Sequence, residues 1–383
     1  MKELPTSLDT HRVRITAPED VFKGQVQWAP AKSFWFLGMA IAAGVGGTVF
    51  FSLSAFVLFL VSTGTVLLLG HSLGSHRKLI HNSFQCPPWL ERVLIYCGVQ
   101  VGLAGPIGLL RQHELRDFAQ RLPACHDYFR HGRSFWLDAW WQLNCELKLD
   151  RPPEVSLEPR IANDRFLQWL ERTWMLQQVP FAILFYVLGG WGWVFWGVCA
   201  RVTAGVFGHW LIGYFAHNHG GMHYKVRGAA AQGHNVPFAW LLTMGECWHN
   251  NHHAFPGSAQ LGLFPGERDP GWWVLMLFRK MGLAWGFRLP KDLPPRPELA
   301  TCDELARTTE DGPCDPNVLR WPGSMLAPGP LRASVGSTPL FLDRASRRLS
   351  FHGKTGLPAL CDAMVQQGGL RSVVARALQG PAE

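Results

Sequence analysis

Most of the sixteen histidines stand in short clusters. His71 precedes His76-Arg77-Lys78-Leu79-Ile80-His81, and His113 opens His113-Glu114-Leu115-Arg116-Asp117. His217-Asn218-His219 is followed by His223, and His249-Asn250-Asn251-His252-His253 is the densest group. Neutral imidazole is a good ligand for intermediate first-row metals such as iron, and several clusters must converge to enclose two ions. On an α-helix the i, i+3, i+4 spacing of the last cluster puts three rings on one face. His76 and His81, five apart, diverge by roughly 140° on an α-helix, which aims them at two neighbouring metals. A single histidine pair is usually a surface or cap feature, but clusters that each follow an apolar element predict a metal centre. A set rich in His and poor in carboxylate keeps such ions open to dioxygen and to an external electron donor.

The elements that position these clusters are membrane helices. Residues 33–75 carry no Asp, Glu, Lys or Arg, and neither do residues 173–200. Each stretch is about right for two crossings of roughly 20 residues, giving spans near 33–52, 54–72, 173–189 and 192–215. Gly189-Gly190-Trp191-Gly192 marks a tight turn inside the second pair. The two tight turns carry no Lys or Arg, whereas 2–32, 77–172 and everything after Lys225 carry nearly all of them. The positive-inside rule therefore places both termini and the central segment in the cytoplasm, in a bacterial inner membrane or the endoplasmic reticulum. Trp89 to Leu110 reads as an interfacial segment, and Trp272 to Phe287 as an amphipathic interfacial helix.

The expected organisation is an N-terminal cytoplasmic arm (1–32), a membrane domain (33–290) and a cytoplasmic tail (291–383) with a short helix over 357–378. The polar opening stretch has no apolar h-region, so no secretory signal is expected. Nine scattered cysteines without a C-x-x-C pair argue against a zinc knuckle or a disulfide framework. The formal charge of +8 suits anionic lipid headgroups or a phosphate-bearing substrate. With membrane spans present, no nucleic-acid partner is expected.

The run Gly245-Glu246-Cys247-Trp248-His249-Asn250-Asn251-His252-His253-Ala254-Phe255-Pro256 resembles the third histidine box of the acyl-CoA (stearoyl-CoA-type) desaturase family. His76 to His81 is similar to the first box, and Trp210 to His217 to the segment that supplies one more ligand. Asp269-Pro270-Gly271-Trp272-Trp273, followed by Met281-Gly282-Leu283-Ala284, resembles the closing helix. The resemblance covers about residues 33 to 290. It implies an all-α integral membrane fold of four transmembrane helices in two hairpins, with a cytoplasmic helical cap over a histidine-rich di-metal site. It further implies two ferrous ions held mainly by His76, His81, His113, His217, His249, His252 and His253. A bent acyl tunnel, O2 as co-substrate and an electron-transfer protein of ferredoxin or cytochrome b5 type complete the picture. No His-Pro-Gly-Gly haem motif is present.

Two departures bear on the site. The family's second box reads H-R-x-H-H, but Arg116 and Asp117 stand where two histidines are expected. Asp117 can ligate through a carboxylate oxygen and Arg116 cannot. Gly213 replaces the Asn that usually holds a metal-bound water. Asp117 is the expected substitute ligand, and His71, His126, His131 and His219 are further candidates. Arg77, Lys78, Arg111, Arg116 and Arg121 are the cations near the boxes that could hold the polar head of a long-chain acyl thioester or lipid. The reading is oxygen-dependent desaturation of a long-chain acyl group. A hydroxylase or ketolase acting on a lipid is the alternative, and a non-catalytic metal-binding membrane protein the weaker one. Only Arg201 is ionised within the spans, where a transport pathway would need several such groups.

Overall fold

The computed structural model describes residues 12–302 and 304–305, together with the backbone of three short strands further on. Two short strands open the described chain, β1 (Val13–Arg14) and β2 (Gly24–Trp28). Three helical segments long and apolar enough to cross a membrane follow: α1 (Pro30–Val49), α2 (Leu53–Ile80) and Leu176–Asn218. Between the last two lie α3 (Pro88–Val99), α4 (Pro106–Arg121), α5 (Phe135–Asn144), strands β3 (Cys145–Leu149) and β4 (Glu154–Val155), and α6 (Arg165–Thr173).

The 43 residues of Leu176–Asn218 form a hairpin. Gly190 has φ +69°, ψ −162°, a conformation closed to residues with a Cβ, and it reverses the chain. Phe185 packs on Gly197, a pair that a continuous helix would hold about 18 Å apart. The second leg ends in α7 (Arg201–Asn218). Outward-facing Val49, Leu53, Ile183, Val187 and Leu188 are more than 60% exposed, a pattern that lipid satisfies and water does not.

The 28 residues of α2 exceed what one crossing needs, so its histidine end runs on into protein. There it packs tightly on α3. A Cβ on Gly70 would meet the Cys97 backbone, and one on Gly74 the Leu94 carbonyl. This small-x-x-x-small face lets the two backbones touch. Leu73, Phe84, Leu90, Leu94 and Leu275 bury one side of the contact. Ser52 caps α2 by accepting from Ala55 N, which is worth about 1 kcal/mol.

The described N-terminal residues pack on the segment between the second and third long apolar helices. β2 pairs antiparallel with β3, and β1 with β4. Val13 and Val21 pack with Phe118, Leu122, Tyr128 and Phe129. Buried Arg12 donates to Ile80 O at 2.7 Å and Glu114 Oε1 at 2.6 Å, joining α2 to α4.

The chain then forms β5 (Tyr224–Val226), α8 (His249–Ala254), α9 (Pro270–Lys280) and β6 (Leu299–Thr301). The expected amphipathic helix is α9, with Leu275 buried and Trp273 and Leu277 exposed. The first compact unit runs to Val318. Within it, β6 pairs with β5, and Arg296 donates to the carbonyls of His253 and Ala254. In the second unit, Leu319–Glu383, Leu331–Val335, Thr338–Asp343 and Arg348–Phe351 form an antiparallel sheet. The helix expected over 357–378 lies outside the described residues. Cys86, Cys97, Cys125, Cys145, Cys199 and Cys247 are free thiols, and Cys302 is disulfide-bonded.

Candidate metal centre

Among the described residues, seven histidines gather in two groups. His76 and His81 come from the end of α2, His113 from α4 and His252 from α8, and their ligand atoms all lie within 4.8 Å of one another. His217 from α7 meets His249 and His253 of α8 on the same criterion.

The α2 pair behaves differently from the α-helical expectation. Hydrogen bonds along Val66–Ile80 run from i to i+5, and His81 N donates to His76 O at 3.1 Å. Residues five apart then stand nearly above one another, so both rings enter the same group, 4.8 Å apart. Conversely, the three rings of α8 share a face but divide between groups. His252 joins the first, and His249 and His253 the second.

The donor sets fit metal ions. His249 Nε2 lies 3.1 Å from His217 Nε2 and 3.0 Å from His253 Nε2. Two nitrogens bound at right angles at about 2.1 Å from one ion are spaced about 3 Å apart. In the first group His81 Nε2, His113 Nδ1 and both nitrogens of His252 are buried without a protein hydrogen-bond partner. Each such atom costs about 1–3 kcal/mol, and a cation would satisfy several at once. Burial pushes His113 down to about 3 and holds His81, His249, His252 and His253 below their usual range, so the rings are neutral ligands.

Behind the ligands, His76 Nδ1 lies 2.6 Å from Glu246 Oε2, which leaves Nε2 facing the group. Glu246 is held by Ser72 Oγ at 2.5 Å and by Arg77 at 3.5 Å. His217 Nδ1 is 3.1 Å from the carbonyl oxygen of Gln232, which fixes its proton there.

The sequence profile of the fatty acid desaturases matches residues 52–261. The chain is 34% identical over 277 residues to an sn-2 palmitoyl-lipid 9-desaturase of Nostoc sp. (strain 36), covering 70% of this chain and 92% of the relative. The chain belongs to the fatty acid desaturase family. A Synechocystis sp. sn-1 stearoyl-lipid 9-desaturase is 32% identical, over 62% of this chain and 72% of its own. An acyl-CoA 5-desaturase of Anemone leveillei is 29% identical, over 64% and 75%. The protein is thus an enzyme of fatty acid desaturation, with a metal site and apolar helices suited to a membrane.

The desaturase's altered second box lies on α4. Asp117 is buried, its Oδ2 3.6 Å from His252 Nε2 and 3.7 Å from His113 Nδ1. Burial alone would raise its carboxyl; His113 and His252 override this and hold it well below the usual range. Arg116 points away from the first group. Its Nη1 donates to His131 Nε2 at 2.6 Å and its Nη2 to Gln142 Oε1 at 2.8 Å. His131 is tied in turn to Asp138 at 2.8 Å, which also accepts from Trp210. A Cβ on Gly213 would come within 3.1 Å of His131 Nε2, so the ring fills the space beside that glycine.

The other candidate residues have plain placements. His126 accepts from Tyr128 N as a helix cap, and His219 lies between the rings of Tyr214 and Phe215, so neither joins a group. His71 stacks 6.5 Å from His76 and meets His209 edge-on at 5.0 Å, outside both groups. Arg77 is fully buried against Asp269 at 2.7 Å, and Lys78 reaches Asn82, Phe84 O and Glu91. Arg116 is likewise turned inward, so all three cations have partners within the protein. Arg111 is exposed and Arg121 half-buried. Sequence reasoning missed Glu246 and Gln120. The former lies inside the third box, and the latter follows His113 by seven residues, two turns along the same face of α4.

Proposed function

We propose that the two histidine groups hold a pair of iron ions and that the enzyme desaturates a long-chain acyl group esterified in a membrane lipid. The observation that carries this reading is the convergence of four and three imidazoles, straddled by α8. The overall change is –CH2–CH2– + O2 + 2 e⁻ + 2 H⁺ → –CH=CH– + 2 H2O, with the electrons from a ferredoxin- or cytochrome b5-type donor. When bound, the ions would supply dioxygen activation.

The chain's own residues supply the rest. Burial keeps His81, His113, His249, His252 and His253 deprotonated, Glu246 and Gln232 orient His76 and His217, and Asp117 brings a carboxylate to the edge of the first group. Asp117 is the substitute ligand in this reading. Four membrane crossings with both termini in the cytoplasm are part of this reading, supported by three long apolar segments, one of them a hairpin, and by the Lys/Arg distribution.

The lipid-linked substrate is favoured because Arg77, Lys78 and Arg116, three of the five cations beside the boxes, are engaged by protein partners. The names of the cyanobacterial relatives support the same class and the ninth carbon. The test is expression in a host lacking the activity, with mass spectrometry of intact lipids and location of the double bond. A new monounsaturated chain within intact lipid is expected. A hydroxylated product, or conversion of acyl-CoA alone, would contradict the assignment.

A further inference from the structure

We propose that Gln120 completes the second metal site, its side-chain N–H donating to a water molecule bound there. This rests on reading His217, His249 and His253 as holding a metal ion.

Gln120 is fully buried on α4, three residues after Asp117 and seven after His113, so the same helix face serves both groups. Its Nε2 donates to Phe129 O at 2.6 Å and lies 3.1 Å from His217 Nε2. The Phe129 carbonyl settles the amide's orientation, because a flip would set two oxygens against each other. One N–H is therefore spent on Phe129, and the second points at the histidine group.

His217 carries its proton on Nδ1, facing Gln232 O, so its Nε2 is a bare lone pair. Without metal, that lone pair accepts from Gln120. Once a metal takes it, the buried N–H of Gln120 loses its acceptor and must find another. An oxygen on the same ion is the partner within reach, and a three-histidine set leaves coordination positions for water. Gly213 has no side chain to serve this purpose, and His131 occupies the adjoining space. Helix α4 thus delivers the polar group that α7 lacks.

The test compares intact wild-type protein with Gln120→Met and Gln120→Glu, each loaded with 57Fe(II) in detergent, by Mössbauer spectroscopy and metal titration. Wild type is expected to bind two ions. In Gln120→Met the signal and affinity of one ion should persist. The other should change its quadrupole splitting and bind about 10–100-fold more weakly, the usual effect of losing an outer-shell partner. Gln120→Glu, which replaces the donor by an acceptor at equal size, should shift the same signal and decides the matter if the Met variant does not fold. Two ions with unchanged spectra and affinities in a folded variant would overturn the role of Gln120 and leave the two-metal reading intact. A wild type that binds one ion, unaffected by His217→Ala, would overturn both. A packing role alone predicts loss of thermal stability with both signals unmoved.

Discussion

Arg116 Nη1 lies 2.6 Å from His131 Nε2, so a position where the family resemblance implies a metal ligand instead carries a cation that donates to a histidine. Because His131 is bound to Asp138 through its other nitrogen, the guanidinium is linked to a buried carboxylate through one neutral ring. His131→Phe keeps the ring volume but removes the acceptor. It should cost about 1.5–3 kcal/mol, read as a lower unfolding midpoint in detergent. An unchanged midpoint would mean that the Arg116–His131 contact contributes nothing.

Arg77 pairs with Asp269, which also caps α9 by accepting from Trp272 N. Arg77→Glu should therefore abolish folded protein rather than weaken substrate affinity. Breaking one partner of a buried pair costs about 3–5 kcal/mol. Normal accumulation of the variant with a raised KM would instead restore a substrate-binding role.

Asp117→Asn is nearly isosteric and removes the carboxylate that lies beside both His113 and His252. Bound iron should fall below two per chain while the melting profile of the metal-free protein stays within about 1 kcal/mol of wild type. Full iron content would show that Asp117 is no ligand.

The metal-free protein should lose stability as pH falls. An unfolded histidine titrates near its usual value of about 6.5, but burial holds His113 at about 3 in the folded state. Below pH 6.5 the unfolded chain takes up protons that the folded chain refuses, so stability present at pH 7.5 is lost progressively towards pH 3. Thermal melts of metal-free protein at pH 7.5 and 5 should differ in that direction. Equal midpoints would contradict burial of the rings in a dry site.

Much of this was legible in residue spacing, because the histidine clusters and the uncharged stretches are local signals. The side on which each histidine acts was not. His76 and His81 share a group only because α2 widens to i→i+5 bonding, which spacing alone does not reveal. Arg77 and Lys78 look like surface charges beside a span; their partners Asp269 and Glu91 are brought in by tertiary folding. Gln120 escaped notice because an uncharged amide two turns from His113 carries no motif.

Two separate histidine groups, each holding one ion, are expected to show in the iron content of the folded chain, measured by elemental analysis in wild type, His81→Ala and His217→Ala. The predicted values are two, one and one, with His217→Ala retaining the ion held by His76, His81, His113 and His252. A wild-type value of one, or two ions retained in either variant, would contradict it.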